Sequence, residues 1–157
     1  MGGSLFEPGR NCWRVETAGR AALIIDACDY YHVIREAMLT AKHRILIVGW
    51  DFDPRIKLDR LDKGNDQETL GGFLLGLAKE RPDVRIDILK WNFGALKTIF
   101  RGSAILWIAR LATTKAIRFK LDSAHPPGCS HHQKIVVIDD GFAICGGIDM
   151  TGDRWDR

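Results

Sequence analysis

The sequence is sparing in the residues that would commit it to a special structural class. Its 157 residues hold four cysteines, at 12, 28, 129 and 145, with no CxxC pair among them. That argues against a disulfide scaffold and predicts reduced thiols. Five prolines, no low-complexity tract and no internal repeat exclude a linker-like chain or a solenoid. The apolar run at 104–108 is far short of a membrane span, and Arg101 and Arg110 bracket it. Nothing before residue 20 reads as a signal peptide. Met1-Gly2-Gly3 resembles a myristoylation start, but Phe6 stands where Ser or Thr is required. These features predict a cytoplasmic protein, at most peripheral on a membrane. A net charge of only +3 is too weak to argue for nucleic acid by itself.

What is present is the composition of a globular domain, with 46% hydrophobic and 27% charged residues. The length suits one domain with a sizeable core and no linker divides it, so residues 1–157 are expected to form a single lobe. Charge is unevenly spread. Between Asp87 and Asp122 there is no acidic residue, yet Lys90, Lys97, Arg101, Arg110, Lys115, Arg118 and Lys120 all fall there. Such a stretch either faces an anionic partner or is a solvated face packed within its own fold.

Hydrophobic periodicity alternates strand and helix. Residues 21–25 and 44–50 read as strands, and 29–41 as a helix with Asp29 as its cap. Residues 51–64 read as a loop and 67–80 as a second helix, despite Gly71, Gly72 and Gly76. A strand at 84–90, helical pieces within 95–114 and a strand at 116–121 follow. After a Pro- and Gly-containing loop at 124–130, strands at 133–139 and 142–146 flank Asp140-Gly141, a two-residue hairpin signal. This pattern predicts an α/β fold, with a mixed sheet flanked by helices.

The chemistry concentrates in the hairpin. His132 and Lys134 are two residues apart, so on a strand they share a face. An imidazole beside an ammonium suits a phosphate, whose oxygens need positive partners. With a two-residue turn, Asp139 opposes Phe142, Lys134 opposes Gly147 and His132 opposes Asp149. Gly146 and Gly147 then leave room for an oxyanion beside Lys134, and Asp149 can bond His132 or Lys134. One extra turn residue would change this register. Asp139, at a strand end before a turn, is expected to bond nearby backbone. Asp156 either orients the His132 ring or is a plain surface residue. His125, His131, His132 and Cys129 lie close enough in sequence to suggest zinc, but Lys134 among them argues against a cation. Trp50, Trp91 and Trp107 read as core aromatics.

With these residues in hand, the chain resembles the phospholipase D superfamily. It looks in particular like the N-terminal half of a bacterial phospholipase D or cardiolipin synthase-like enzyme. His132, Lys134 and Asp139 match its His-x-Lys-x4-Asp signature. Gly146-Gly147-x-Asp149 and Arg154-Trp155-Asp156 match its extended form, as do His125-Pro126-Pro127-Gly128 and the paired His131-His132. The resemblance is dense over residues 122–156 and looser upstream.

The resemblance implies a phospholipase D-like lobe and a metal-free, cofactor-free phosphodiester displacement through a phosphohistidine. The reaction would hydrolyse or exchange head groups of glycerophospholipids at a membrane surface. His132, Lys134 and Asp139 would be catalytic. Gly146, Gly147, Asp149, Asp156 and His131 would bind substrate or support the site. A second His-x-Lys motif is needed, and none of His32, His43, His125 or His131 has a lysine two residues on. The chain therefore reads as the first half of a longer enzyme, partnered by a second lobe or a symmetric dimer mate. The rival readings are a homodimeric phospholipase D-like endonuclease, which the modest charge does not favour, and a non-catalytic membrane-binding lobe.

Overall fold

The computed structural model describes residues 5–58, 68–92 and 103–156. Helix α1 spans Ala27–Leu39, strand β1 Arg44–Gly49, helix α2 Leu70–Glu80 and strand β2 Arg85–Trp91. Helix α3 follows at Ala104–Thr113, then strands β3 at Ile117–Asp122, β4 at Ile135–Ile138 and β5 at Phe142–Cys145, and a 3-10 turn at Gly152–Arg154. The strands form one open sheet in the order β3-β2-β1-β4-β5. The first three are parallel, while β4 runs antiparallel to β1, and β5 antiparallel to β4. The expected mixed sheet with flanking helices is therefore what the chain builds. The beginning of the expected second helix, at Gln67, and residues 95–102 lie outside the described residues.

Alternation in β1 sets the layers. Ile45, Ile47 and Gly49 are buried, while Arg44, Leu46 and Val48 are half-buried. The buried set joins Ile86, Ile88, Ile117, Val136 and Ile138 in one core with Ile34 and Met38 of α1, Leu74 and Leu77 of α2 and Leu111 of α3. Each such side chain contributes about 1.5–3 kcal/mol on leaving water. All three described helices thus cover one face of the sheet.

The other face is polar at one corner. Asp87 sits among Arg44, Arg85 and Arg118 at 2.9, 3.0 and 2.6 Å. The Arg118 guanidinium, before the others, holds this carboxylate below its usual range. The basic stretch is therefore partly spent inside the fold, with Arg118 on Asp87 and Lys90 buried. Lys97 and Arg101 lie outside the described residues.

Gly71 explains one glycine that helix propensity alone disfavours. A Cβ there would come within 2.7 Å of the Trp107 ring and 3.0 Å of Pro54, so α2 can meet α3 and the 51–58 segment this closely only through glycine. The cap of α2 is Thr69, whose hydroxyl accepts from Gly72 N–H.

Three sequence expectations are corrected. Residues 21–25 form no strand, and Leu23 is 87% exposed. Helix α1 starts before Asp29, at Ala27, and its first N–H groups are met from the far end of the chain. Ala27 N–H donates to the Asp156 carboxylate at 2.7 Å, and Cys28 N–H to the Asp156 carbonyl. In the β4–β5 hairpin the turn has three residues, so Ile138, rather than Asp139, opposes Phe142. Asp139 and Asp140 both adopt left-handed backbone, and Gly141 N–H closes on the Ile138 carbonyl at 3.1 Å. The reason is that Asp139 is drawn out of the ladder towards β1, as described below.

Candidate active site

Because β2 lies on one side of β1 and β4 on the other, chain direction changes at the end of β1, where open α/β sheets place their binding crevices. Gly49-Trp50-Asp51, Lys90-Trp91-Asn92, Asp122 and the segment entering β4 converge at this edge.

Lys134 and Asp149 form the centre. Their side chains are 4% and 1% exposed, with Lys134 Nζ 3.2 Å from Asp149 Oδ2. The approach is off the hydrogen-bonding axis, so Nζ and Oδ2 make no well-aligned hydrogen bond among the described residues. The other oxygen, Oδ1, accepts from the backbone N–H of Trp50 at 3.2 Å and of Asp51 at 3.1 Å. Asp149 is itself held from behind, because Tyr31 Oη donates to its carbonyl at 2.8 Å. The segment continues beside residues 52–53, with Asp53 N–H on the Met150 carbonyl at 2.9 Å.

The register change moves Lys134 beside Gly146, whose N–H donates to the Lys134 carbonyl at 3.3 Å. A Cβ at Gly146 or Gly147 would meet nothing within 4 Å. Strand β4 begins only at Ile135, so the shared-face argument for His132 and Lys134, which assumed a strand from 133, does not apply. Lys134 turns inward to Asp149, while His132 is exposed and meets Trp50 in a T-shaped ring contact at 5.5 Å and 75°. What they share is Trp50: its ring meets His132 and its N–H meets the carboxylate that holds Lys134.

An aromatic and imidazole wall continues from there. Trp50 stacks on Trp91 at 5.5 Å and 18°. Trp91 Nε1–H reaches His125 Nε2 at 2.9 Å, Asn92 Oδ1 lies 2.9 Å from the same nitrogen, and His125 Nδ1 lies 3.1 Å from the Pro126 carbonyl. His131 Nε2 lies 3.1 Å from Asp122 Oδ2. The three histidines thus answer to different partners, and among the described residues no cluster of three metal-ligating side chains forms.

The remaining predicted residues lie elsewhere. Asp139 is at the opposite end of β4 from Lys134. Its carboxylate accepts from Lys42 N–H at 2.7 Å, His43 N–H at 2.8 Å and Arg44 N–H at 2.7 Å. It is thus a clamp on the start of β1. Asp156 binds α1, as above, rather than the His132 ring. Sequence reasoning missed Trp50 and Trp91 as part of the site, and it missed Asp51 and the buried Lys90. A lysine in an apolar strand, Ile-Leu-Lys-Trp at 88–91, was the available signal.

The three N–H groups, that of Arg44 foremost, hold the Asp139 carboxyl below the usual carboxylate range. A group depressed in the folded state stabilises it above the unfolded value of about 3.9 and ceases to do so as pH falls through the lower folded value. Asp139→Asn should therefore lower the urea midpoint at neutral pH and flatten its decline below about pH 4, leaving Asp87 to supply the residual slope. Equal midpoints and slopes in the two proteins would contradict the clamp.

Comparison with known proteins finds relatives along most of this chain. The chain is 32% identical to phospholipase D B of Dictyostelium discoideum over 137 residues, 84% of this chain and 11% of that protein. It is 29% identical to phospholipase D1 of Saccharomyces cerevisiae over 150 residues, 90% of this chain and 8% of that protein. It is 27% identical to phospholipase D2 of Bos taurus over 139 residues, 87% and 14% respectively. The chain thus spans about a tenth of the length of these relatives. No family model matches it.

Proposed function

Since this chain belongs to the phospholipase D superfamily, we propose that it is one lobe of a phosphodiesterase acting on the head groups of glycerophospholipids. The observation that carries the reading is the placement of His132 and the Lys134–Asp149 pair on either side of Trp50.

In this reading one histidine, His132 or its counterpart on the second lobe, attacks phosphorus as the P–O bond to the leaving alcohol breaks. The other gives that alcohol its proton. In the second step the latter takes a proton from water or an acceptor alcohol, whose oxygen bonds to phosphorus as the P–N bond breaks and the first histidine leaves. Lys134 supports the phosphoryl oxygens, and Asp149 holds its ammonium in place. Asp139 serves by holding β1 to the hairpin. The open edge around Gly146 and Gly147 gives the phosphoryl group room. The proposed setting is the cytoplasmic surface of a membrane, and none of the described helices is long and apolar enough to cross one.

A lobe with one His-x-Lys pair supplies one imidazole where the two steps need two. Residues 1–157 alone should therefore release choline from phosphatidylcholine vesicles about 10²–10⁴-fold more slowly than the same chain joined by a second motif-bearing lobe. Equal rates would overturn the half-site reading. A symmetric dimer cleaving DNA would move the assignment to a nuclease.

A further inference from the structure

Beside this site lies a second buried ion pair that the steps above do not use. Lys90, near the end of β2, is 1% exposed, with Nζ 2.8 Å from Asp51 Oδ1. The same ammonium reaches the Phe52 carbonyl at 3.4 Å. Fully buried lysines are rare. A buried ion pair is also commonly replaceable by apolar residues of similar volume without loss of stability. Stability alone is thus a weak reason for an ion pair here.

The contacts continue towards the catalytic pair. Asp51 N–H donates to Asp149 Oδ1 at 3.1 Å, and Asp149 Oδ2 lies 3.2 Å from Lys134 Nζ. Lys90 on β2 and Lys134 at the entry to β4 therefore flank β1 from its two sides. Each engages one carboxylate, and the backbone of Asp51 joins them. The turn has little slack. A Cβ at Gly49 would stand 2.9 Å from the Asp51 carbonyl oxygen and 3.7 Å from Asp149 Oδ1.

We infer that Lys90 is a positioning residue for the phosphoryl site: by gripping the Asp51 carboxylate and the Phe52 carbonyl it fixes the amides that aim Asp149, and through Asp149 it fixes Lys134. The inference rests on the proposed role of Lys134 at the phosphoryl group. It names a residue on a different strand that never touches substrate.

The test uses the 157-residue chain with tungstate as a phosphoryl mimic, read by Trp50 and Trp91 fluorescence. Hydrogen-exchange protection at the Trp50 and Asp51 amides is read in parallel. Lys90→Met should weaken tungstate binding about tenfold or more, as expected when a site loses its alignment, and should remove protection at both amides. Leu77→Ala, a core cavity on α2, should lower stability and leave both readouts unchanged. If Lys90→Met does not fold, the charge-neutral pair Asp51→Asn with Lys90→Met decides, with the same two losses expected. Wild-type protection and affinity within about twofold in the folded Lys90 variant would overturn the inference. If the wild-type chain binds no tungstate, the phosphoryl-site reading fails while the amide protection still judges the positioning role.

Discussion

Asp149→Ala should cost the chain a large part of its stability, about 4–8 kcal/mol. The substitution removes the partner of Lys134, a buried ammonium, and the acceptor of two backbone N–H groups at Trp50 and Asp51. Breaking a buried ion pair from one side costs about 3–5 kcal/mol, because the remaining charge stays in a poorly solvated place. Orphaned N–H groups add about 1–3 kcal/mol. A domain of this size has about 5–15 kcal/mol in all, so a sum of about 4–8 kcal/mol takes a large part of it. Asp149→Asn should be milder, since the amide oxygen still accepts from both N–H groups, although the amide NH2 then faces Lys134 and the ion pair is lost. Urea unfolding followed by tryptophan fluorescence separates the two variants. An alanine variant within about 1 kcal/mol of wild type would mean that the Lys134–Asp149 pair does not hold this corner together.

The largest functional effect is expected at His132. In the two-lobed enzyme, His132→Ala should lower phosphodiester turnover by about 10⁴-fold, whether the imidazole attacks phosphorus or transfers the proton. Stability should change by less than about 1 kcal/mol, because the residue is exposed and its aromatic contact is a T-shaped one with Trp50. The contrast with Asp149 is what distinguishes a reacting group from a supporting one. A His132 variant that keeps near-normal turnover would remove it from the reaction.

Much of the fold was legible because strong hydrophobic runs and turn residues decide it locally. Ile45–Val48, Ile86–Leu89 and Ile135–Ile138 read as strands and are strands. Residues 21–25 had the same apolar look without the same fate. A short run becomes a strand only when it pairs with an edge, and residues 21–25 pair with neither β3 nor β5, the two edges of the described sheet. The hairpin turn was misread by one residue because the pull on Asp139 comes from Lys42, His43 and Arg44, almost a hundred residues away in sequence. No local turn rule contains that term.

The candidate site was legible in part for a similar reason. His132, Lys134 and Asp149 stand out as chemistry at fixed spacing. Their arrangement depends on Trp50 and Asp51, which only the β1–β4 pairing brings near. Asp156, read as either orienting the His132 ring or lying on the surface, is exposed and accepts from the Ala27 N–H, an unmet helix-end donor with no side-chain signature of its own.

The most direct test of the account is to trap the covalent intermediate. The two-lobed enzyme is mixed with phosphatidylcholine labelled in its phosphate, quenched in alkali within one turnover, and mapped by mass spectrometry. The account predicts a phosphoryl group on a histidine, either His132 or its counterpart on the second lobe, that fails to accumulate at the wild-type rate in His132→Ala. A label on a serine or carboxylate, or a histidine label that forms equally fast without His132, would contradict it.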